Sequence, residues 1–236
     1  MSQFFSLDGP LMSALERIAN LALINILWLL CSIFILPLGP ATEAMCYCTM
    51  KVLKNEDSHV IRMFFRELKD NFLKKMLAGL LLLLVGTGLY FQYRLVFDWQ
   101  SDLSSNVKII AGVPMATVAL IYLFPATLLF PLCATFENSM KQTLLNSFLI
   151  GIKNLFFVLL MAIIQALPAI AFYFQPDFFW KTMILWLGFG VSGPYFFNAI
   201  IVRHILKPYM PAEDANEFLE DFANETGEDS DNLDED

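Results

Sequence analysis

Ionised side chains are scarce in this chain, and that scarcity sets its class. Of 236 residues only 16% are Asp, Glu, Lys or Arg, while 57% are hydrophobic and 23 are phenylalanine. Soluble domains carry roughly 25% charged residues, so there is too little charge here to cover a water-facing exterior. Metal-binding residue types are equally thin, with two histidines, His59 and His204, and four cysteines. Cys46 and Cys48 form C-x-C, without the two-residue spacer of thioredoxin-like or zinc-ribbon pairs. Together with Cys31 and Cys133 they read as small apolar thiols packed inside a bundle. No zinc-protease, phosphate-loop or paired-carboxylate pattern occurs in the apolar region. No metal and no cofactor is therefore expected. Nor does Ser2–Asn20 have the basic start of a secretory leader.

Catalysis fares no better. Gly190-Val191-Ser192-Gly193 has the spacing of an intramembrane serine protease motif. A serine nucleophile needs a base within hydrogen-bond reach, and His204 stands twelve residues beyond Ser192, about 18 Å along a helix. The expectation is a protein that is not an enzyme.

What is present is long apolar chain. Five windows, 18–42, 76–96 (free of charge as far as Tyr93), 109–136, 154–176 and 182–202, are long enough for spans, which need about 20 helical residues each. Lipid offers no partners for backbone groups, so helices are expected. The fold class is all-α, a polytopic bundle with interfacial or cytoplasmic amphipathic helices. Residues 1–210 form the membrane domain, and 211–236 form an acidic, largely disordered cytoplasmic tail. That tail holds twelve acidic residues and no Lys or Arg; without it the body has fifteen basic against eleven acidic residues.

Cations set the orientation. Lys51, Lys54, Arg62, Arg66, Lys69, Lys74, Lys75, Lys141, Lys153, Arg203 and Lys207 fall on one side of a five-span map, and Arg17, Arg94, Lys108 and Lys181 on the other. This places a multi-pass protein in the plasma membrane with its N-terminus outside and its C-terminus in the cytoplasm. Leu11, Leu15 and Ile18 after Pro10 suit an interfacial helix before the first span. In the basic loop, Ser58 is a fitting N-cap, and Val60, Ile61, Phe64, Phe65, Leu68 and Phe72 repeat at helical spacing beside Arg62, Arg66, Lys69 and Lys75. Such a helix rests on anionic headgroups or docks a cytoplasmic partner. Its expected docking set is Arg62, Phe64, Phe65, Arg66, Lys69 and Phe72.

A phrase recurs. Gly39-Pro40-Ala41-Thr42 closes the first window, and Phe124-Pro125-Ala126-Thr127 comes 85 positions later; Phe64, Lys69 and Phe72 match Phe148, Lys153 and Phe156 at a shift of 84. Pro194 stands in a related setting. A parallel internal duplication would account for this. Gly39, Pro40, Thr42, Pro125, Thr127 and Pro194 are expected at bent helix ends, with the Thr hydroxyls satisfying carbonyls that the prolines free. Asn25, Gln165 and Asn198 within the windows read as interhelical hydrogen bonders.

The stretch "ERIANLALINILWLLCSIFILPLGPATEAMCYCTMKVLKNEDSHVIRMFFRELKDNF" resembles the opening of the YesL-like proteins, bacterial membrane proteins defined by a domain of unknown function. The marks are Asn25, Trp28, Gly39-Pro40-Ala41-Thr42 and Phe-Phe-Arg-x2-Lys-x-Asn-Phe. The resemblance covers most of residues 1–205, most specifically the first 75, and excludes the acidic tail. It carries no catalytic residues. It implies a Gram-positive bacterial protein with an accessory part in sugar import, since family members are often encoded beside carbohydrate uptake systems and glycoside hydrolases. The expected partners are the lipid bilayer and ABC transporter permease subunits, with no nucleic acid. The alternative is a permease subunit or small carrier that moves a solute itself.

Overall fold

The structure, a computed structural model, describes residues 10–54, 59–99, 105–136 and 138–209. Ser58 and the tail from 211 lie outside the described residues. Among those described, the helices are α1 (Pro10–Ser32), α2 (Leu38–Leu53), α3 (Val60–Lys69), α4 (Phe72–Arg94), α5 (Ser105–Thr135), α6 (Met140–Lys153), α7 (Leu155–Phe174), α8 (Pro176–Lys181), α9 (Met183–Phe189) and α10 (Ser192–Leu206). No strand occurs among the described residues. Four helices, Ala14–Ser32, Phe72–Phe97, Asn106–Thr135 and Leu155–Phe174, are long and apolar enough to cross a membrane; α9 and α10, bent by 43°, make a fifth when read as one broken span. Their outward faces are apolar, with Leu84, Ile110 and Ile163 more than half exposed, as lipid-facing residues are. This is a multi-pass, all-α membrane bundle.

The first expected span, 18–42, is not one helix. α1 begins at Pro10, taking in the segment expected to lie along the surface, and ends at Ser32. Residues 33–37 turn the chain, and α2 folds back on α1, where Trp28 Nε1 donates to Thr42 Oγ1 at 3.1 Å. Pro40 is the third residue of α2, a first-turn position whose missing N–H would lack an intrahelical partner anyway. The first Pro-Ala-Thr thus opens a helix instead of bending the end of one. Pro194 takes the same third position in α10.

The second copy behaves differently. Pro125 lies inside an unbroken α5 with Pro114 and Pro131. Thr127 Oγ1 donates to the Leu123 carbonyl at 2.8 Å and Thr42 Oγ1 to that of Leu38 at 2.7 Å. The carbonyls one turn before the prolines belong to Ile121 and Leu36, so neither hydroxyl does what was expected of it.

Helix directions follow from the contacts. Gly39 lies against Gly79, where an added Cβ on Gly79 would come within 2.6 Å of Gly39 Cα. Glu43 lies against Lys75. α2 and α4 are therefore antiparallel, and so are α2 and α1 across their short turn. α1 and α4 consequently run the same way. Tyr122 OH donating to the Leu82 carbonyl, beside the Gly79–Phe130 contact, makes α4 and α5 antiparallel. Asn198 on Met161, with the His204 ring over Phe157, does the same for α7 and α10. α1, α4 and α7 thus oppose α2, α5 and α10. The five-span alternation gives α1 and α4 opposite senses; in the structure α2 folds back between them and the two run the same way.

The triplet α2–α3–α4 is echoed by α5–α6–α7. Thr135 Oγ1 donates to Met50 Sδ at 3.6 Å, between residues 85 apart. Cys46 and Pro131, again 85 apart, share one small cavity with Tyr195 and Asn198. Where these residues meet, α2 and α5 run parallel.

Candidate functional site

The most unusual chemistry sits where α2, α3 and α4 meet. Glu43, one turn into α2, has no exposed surface. The Lys75 ammonium, in the first turn of α4, donates to Glu43 Oε2 at 2.8 Å, Glu67 Oε1 at 3.0 Å and Asp70 Oδ2 at 3.5 Å, and reaches the Glu67 carbonyl at 3.4 Å. A buried charge persists only when paired and hydrogen-bonded. One cation here ties three elements together: α2 through Glu43, α3 through Glu67, and the α3–α4 turn through Asp70.

The turn itself is built for this. Asn71 sits in the left-handed region at φ 46, which Asn tolerates better than most residues. Its amide donates to Asp70 Oδ2 at 2.9 Å. That bond, helped by Lys75, holds the Asp70 carboxyl below the usual carboxylate range. Glu43 Oε1 has no hydrogen-bond partner among the described residues.

α3 divides its residues between two faces. At helical spacing, Val60 and Phe64 point one way and Ile61, Arg62, Phe65, Arg66 and Lys69 the other. Val60 and Phe64 are buried against Leu21, Ile24, Met45 and Cys48 of α1 and α2. Phe64 is therefore removed from the expected docking set: it is core. The outer face keeps Arg62, Phe65, Arg66 and Lys69, with Phe72 at the start of α4 at the edge of exposure. Arg66 Nη2 donates to Tyr47 OH at 3.3 Å, and the Lys51 ammonium lies 6.0 Å from the same ring. Both cations extend the basic rim toward α2.

The remaining singled-out residues are placed plainly. Asn25 holds the α9–α10 break: its Oδ1 accepts from the N–H groups of Val191 and Ser192 at 2.9 Å each, and its Nδ2 donates to the Leu187 carbonyl at 2.6 Å. Ser192 is buried beside that cap, and His204 packs on Phe157. All four cysteines are free thiols. The three carboxylates around Lys75 were absent from the expected site. The available signal was Glu43 itself, a single acid inside the otherwise uncharged run from Ile18 to Met50, which membrane burial would oblige to find a cation.

The family comparison falls on this region. Residues 21–93 match a family described as "Protein of unknown function, DUF624". They extend from Leu21 in α1 to Tyr93 near the end of α4 and so contain the whole Lys75 cluster. The chain is 28% identical over 149 residues to "Uncharacterized protein YesL" of Bacillus subtilis (strain 168), an alignment covering 61% of this chain and 68% of that protein. No solved structure matches. Over residues 21–93 the chain is thus similar to the DUF624 family, and over 61% of its length to YesL.

Proposed function

We propose that this is a non-catalytic protein of the plasma membrane that assists another membrane complex, a carbohydrate uptake system of the ABC type, through the outer face of α3. The observation that carries the reading is the Lys75 cluster. A short amphipathic helix left on lipid needs no buried ion pair. Here one buried ammonium bonds both α3 and the turn after it, so the face bearing Arg62, Phe65, Arg66 and Lys69 is presented on a rigid mount. Preorganisation of that kind lowers the entropy lost on binding. The aromatic and arginine content matches what anchors protein interfaces. The choice of a sugar importer rests on the family resemblance alone.

The same proposal sets the orientation. The end carrying α3, α6 and the last turn of α10 faces the cytoplasm, because it gathers most of the cations. α1 starts at that end too, so both termini are cytoplasmic.

The carrier alternative is less well supported. The small cavity among α2, α5 and α10 is lined by Cys46, Met50, Pro131, Tyr195, Asn198, Ala199 and Val202 and has room for about one water molecule. The test is photo-crosslinking from position 65 in cells, followed by recovery of the partner. Permease subunits should be recovered, and with the probe kept at position 65, Arg62→Ala with Arg66→Ala should lower their recovery at least about tenfold, the effect of 1.4 kcal/mol. Unchanged recovery would remove α3 as the contact. Unaided passage of labelled oligosaccharide by the purified protein in vesicles would establish the carrier instead.

A further inference from the structure

We propose that the acidic segment 211–236 of this same chain docks on the outer face of α3 and covers it. The inference deepens the reading of that face as a docking surface and rests on it. Three observations select the occupant. First, charge: the segment holds twelve carboxylates and no Lys or Arg. The exposed side of α3 sets Arg62, Arg66 and Lys69 within eight residues, and none of them takes part in the Lys75 cluster. Second, apolar content: Phe218, Leu219 and Phe222 lie among Glu217, Glu220 and Asp221, while Ile61 and Phe65, 51% and 41% exposed, lie among the α3 cations. Acid with aromatic on one side meets base with aromatic on the other. Third, reach: α10 ends at the same end of the bundle as α3, and 27 residues follow Tyr209. Fully extended they span roughly 90 Å, so length does not restrict them to the nearest surface.

The neighbouring cationic surface is a weaker host. On α6 the exposed cations are Lys141 and Lys153. They stand twelve positions apart, and Lys153 contacts Tyr209 OH at 3.5 Å as Arg66 contacts Tyr47 OH at 3.3 Å, so spacing and not pairing distinguishes the two helices. Among the described helices, α3 combines three close cations with two exposed apolar side chains. Docked there, the segment occupies the surface that a partner or an anionic headgroup would use, and binding of either must displace it. The device is a self-cover whose strength falls with ionic strength.

The experiment uses the purified full-length chain in nanodiscs of zwitterionic lipid, with a photoreactive phenylalanine analogue at position 65. The crosslinked peptide should map to 211–236. Its yield should fall several-fold near 1 M salt, where the screening length is about 3 Å. It should fall likewise when Arg62, Arg66 and Lys69 are replaced by Ala. A second variant, Glu217→Gln with Glu220→Gln and Asp221→Asn, alters only the segment and should lose the crosslink with the folded body intact. Crosslinks confined to lipid or to neighbouring helices would overturn the proposal, as would a segment crosslink indifferent to salt and to both neutralisations. No partner is present in this assay. A positive result here, with no permease recovered in cells, would condemn the partner reading alone.

Discussion

Removing the Lys75 ammonium while leaving Glu43 in place strands a fully buried carboxylate. Breaking one side of a buried pair costs about 3–5 kcal/mol, so Lys75→Met should lower the unfolding temperature of the purified protein sharply. Glu43→Gln together with Lys75→Met removes both charges, and its loss should be clearly smaller than that of Lys75→Met alone. A double-mutant cycle on thermal unfolding reads this directly, and simple additivity would show that the two groups are not coupled. Asn25 makes a second prediction at this scale. Asn25→Leu keeps much of the volume but leaves the N–H groups of Val191 and Ser192 without the acceptor they share. Each stranded buried donor costs about 1–3 kcal/mol. The α9–α10 break should then open first, seen as faster hydrogen exchange at residues 190–193 than in the parent protein.

Between elements, α2 and α4 meet glycine on glycine. Any side chain at Gly39 would strike the Lys75 carbonyl oxygen, and one at Gly79 would meet the backbone of α2. Gly79→Val should push α4 from α2 and loosen the ion cluster with it, so that α3 exchanges faster while α7 and α10 do not. Uniform acceleration along the chain would argue against a local anchor. The existence of the helices was legible in the sequence, since their apolar runs are long and almost free of charge. α2 was not. Glu43 and Lys51 in its sixteen residues look like the start of a soluble loop to any count of charge. The helix can carry them because its neighbours are protein on five sides and not lipid. The face of α3 was half legible: the spacing showed an amphipathic helix, but Phe64 and Phe65 are adjacent in sequence and only packing tells which is core. The Lys75 cluster joins residues 32 positions apart, a distance over which no local pattern operates.

The whole molecule turns on whether α2 makes a return pass. Counting apolar windows gives five spans and termini on opposite sides of the membrane. Counting α2 as a pass, with α1, α4 and α7 set against α2, α5 and α10, gives an even number and termini on the same side. The cations favour the second map. Arg17, stranded outside on the five-span reading, joins the basic end when α1 begins there, and Arg94, Lys108 and Lys181 are left on the other face. Positive residues near span ends bias orientation toward the cytoplasm, so the even map fits that bias better with no change of sequence. A small reporter fused ahead of Met1 and another placed after Asp236 should therefore both be inaccessible from outside intact cells and both become accessible on lysis. A third, inserted between Asp102 and Ser104 in the connection that follows α4, should be accessible throughout. A protected C-terminal reporter with an exposed N-terminal one would restore five passes. It would also require α1 and α4 to run in opposite senses, against the direction that the contacts of Gly39 with Gly79 and of Glu43 with Lys75 give α2 and α4.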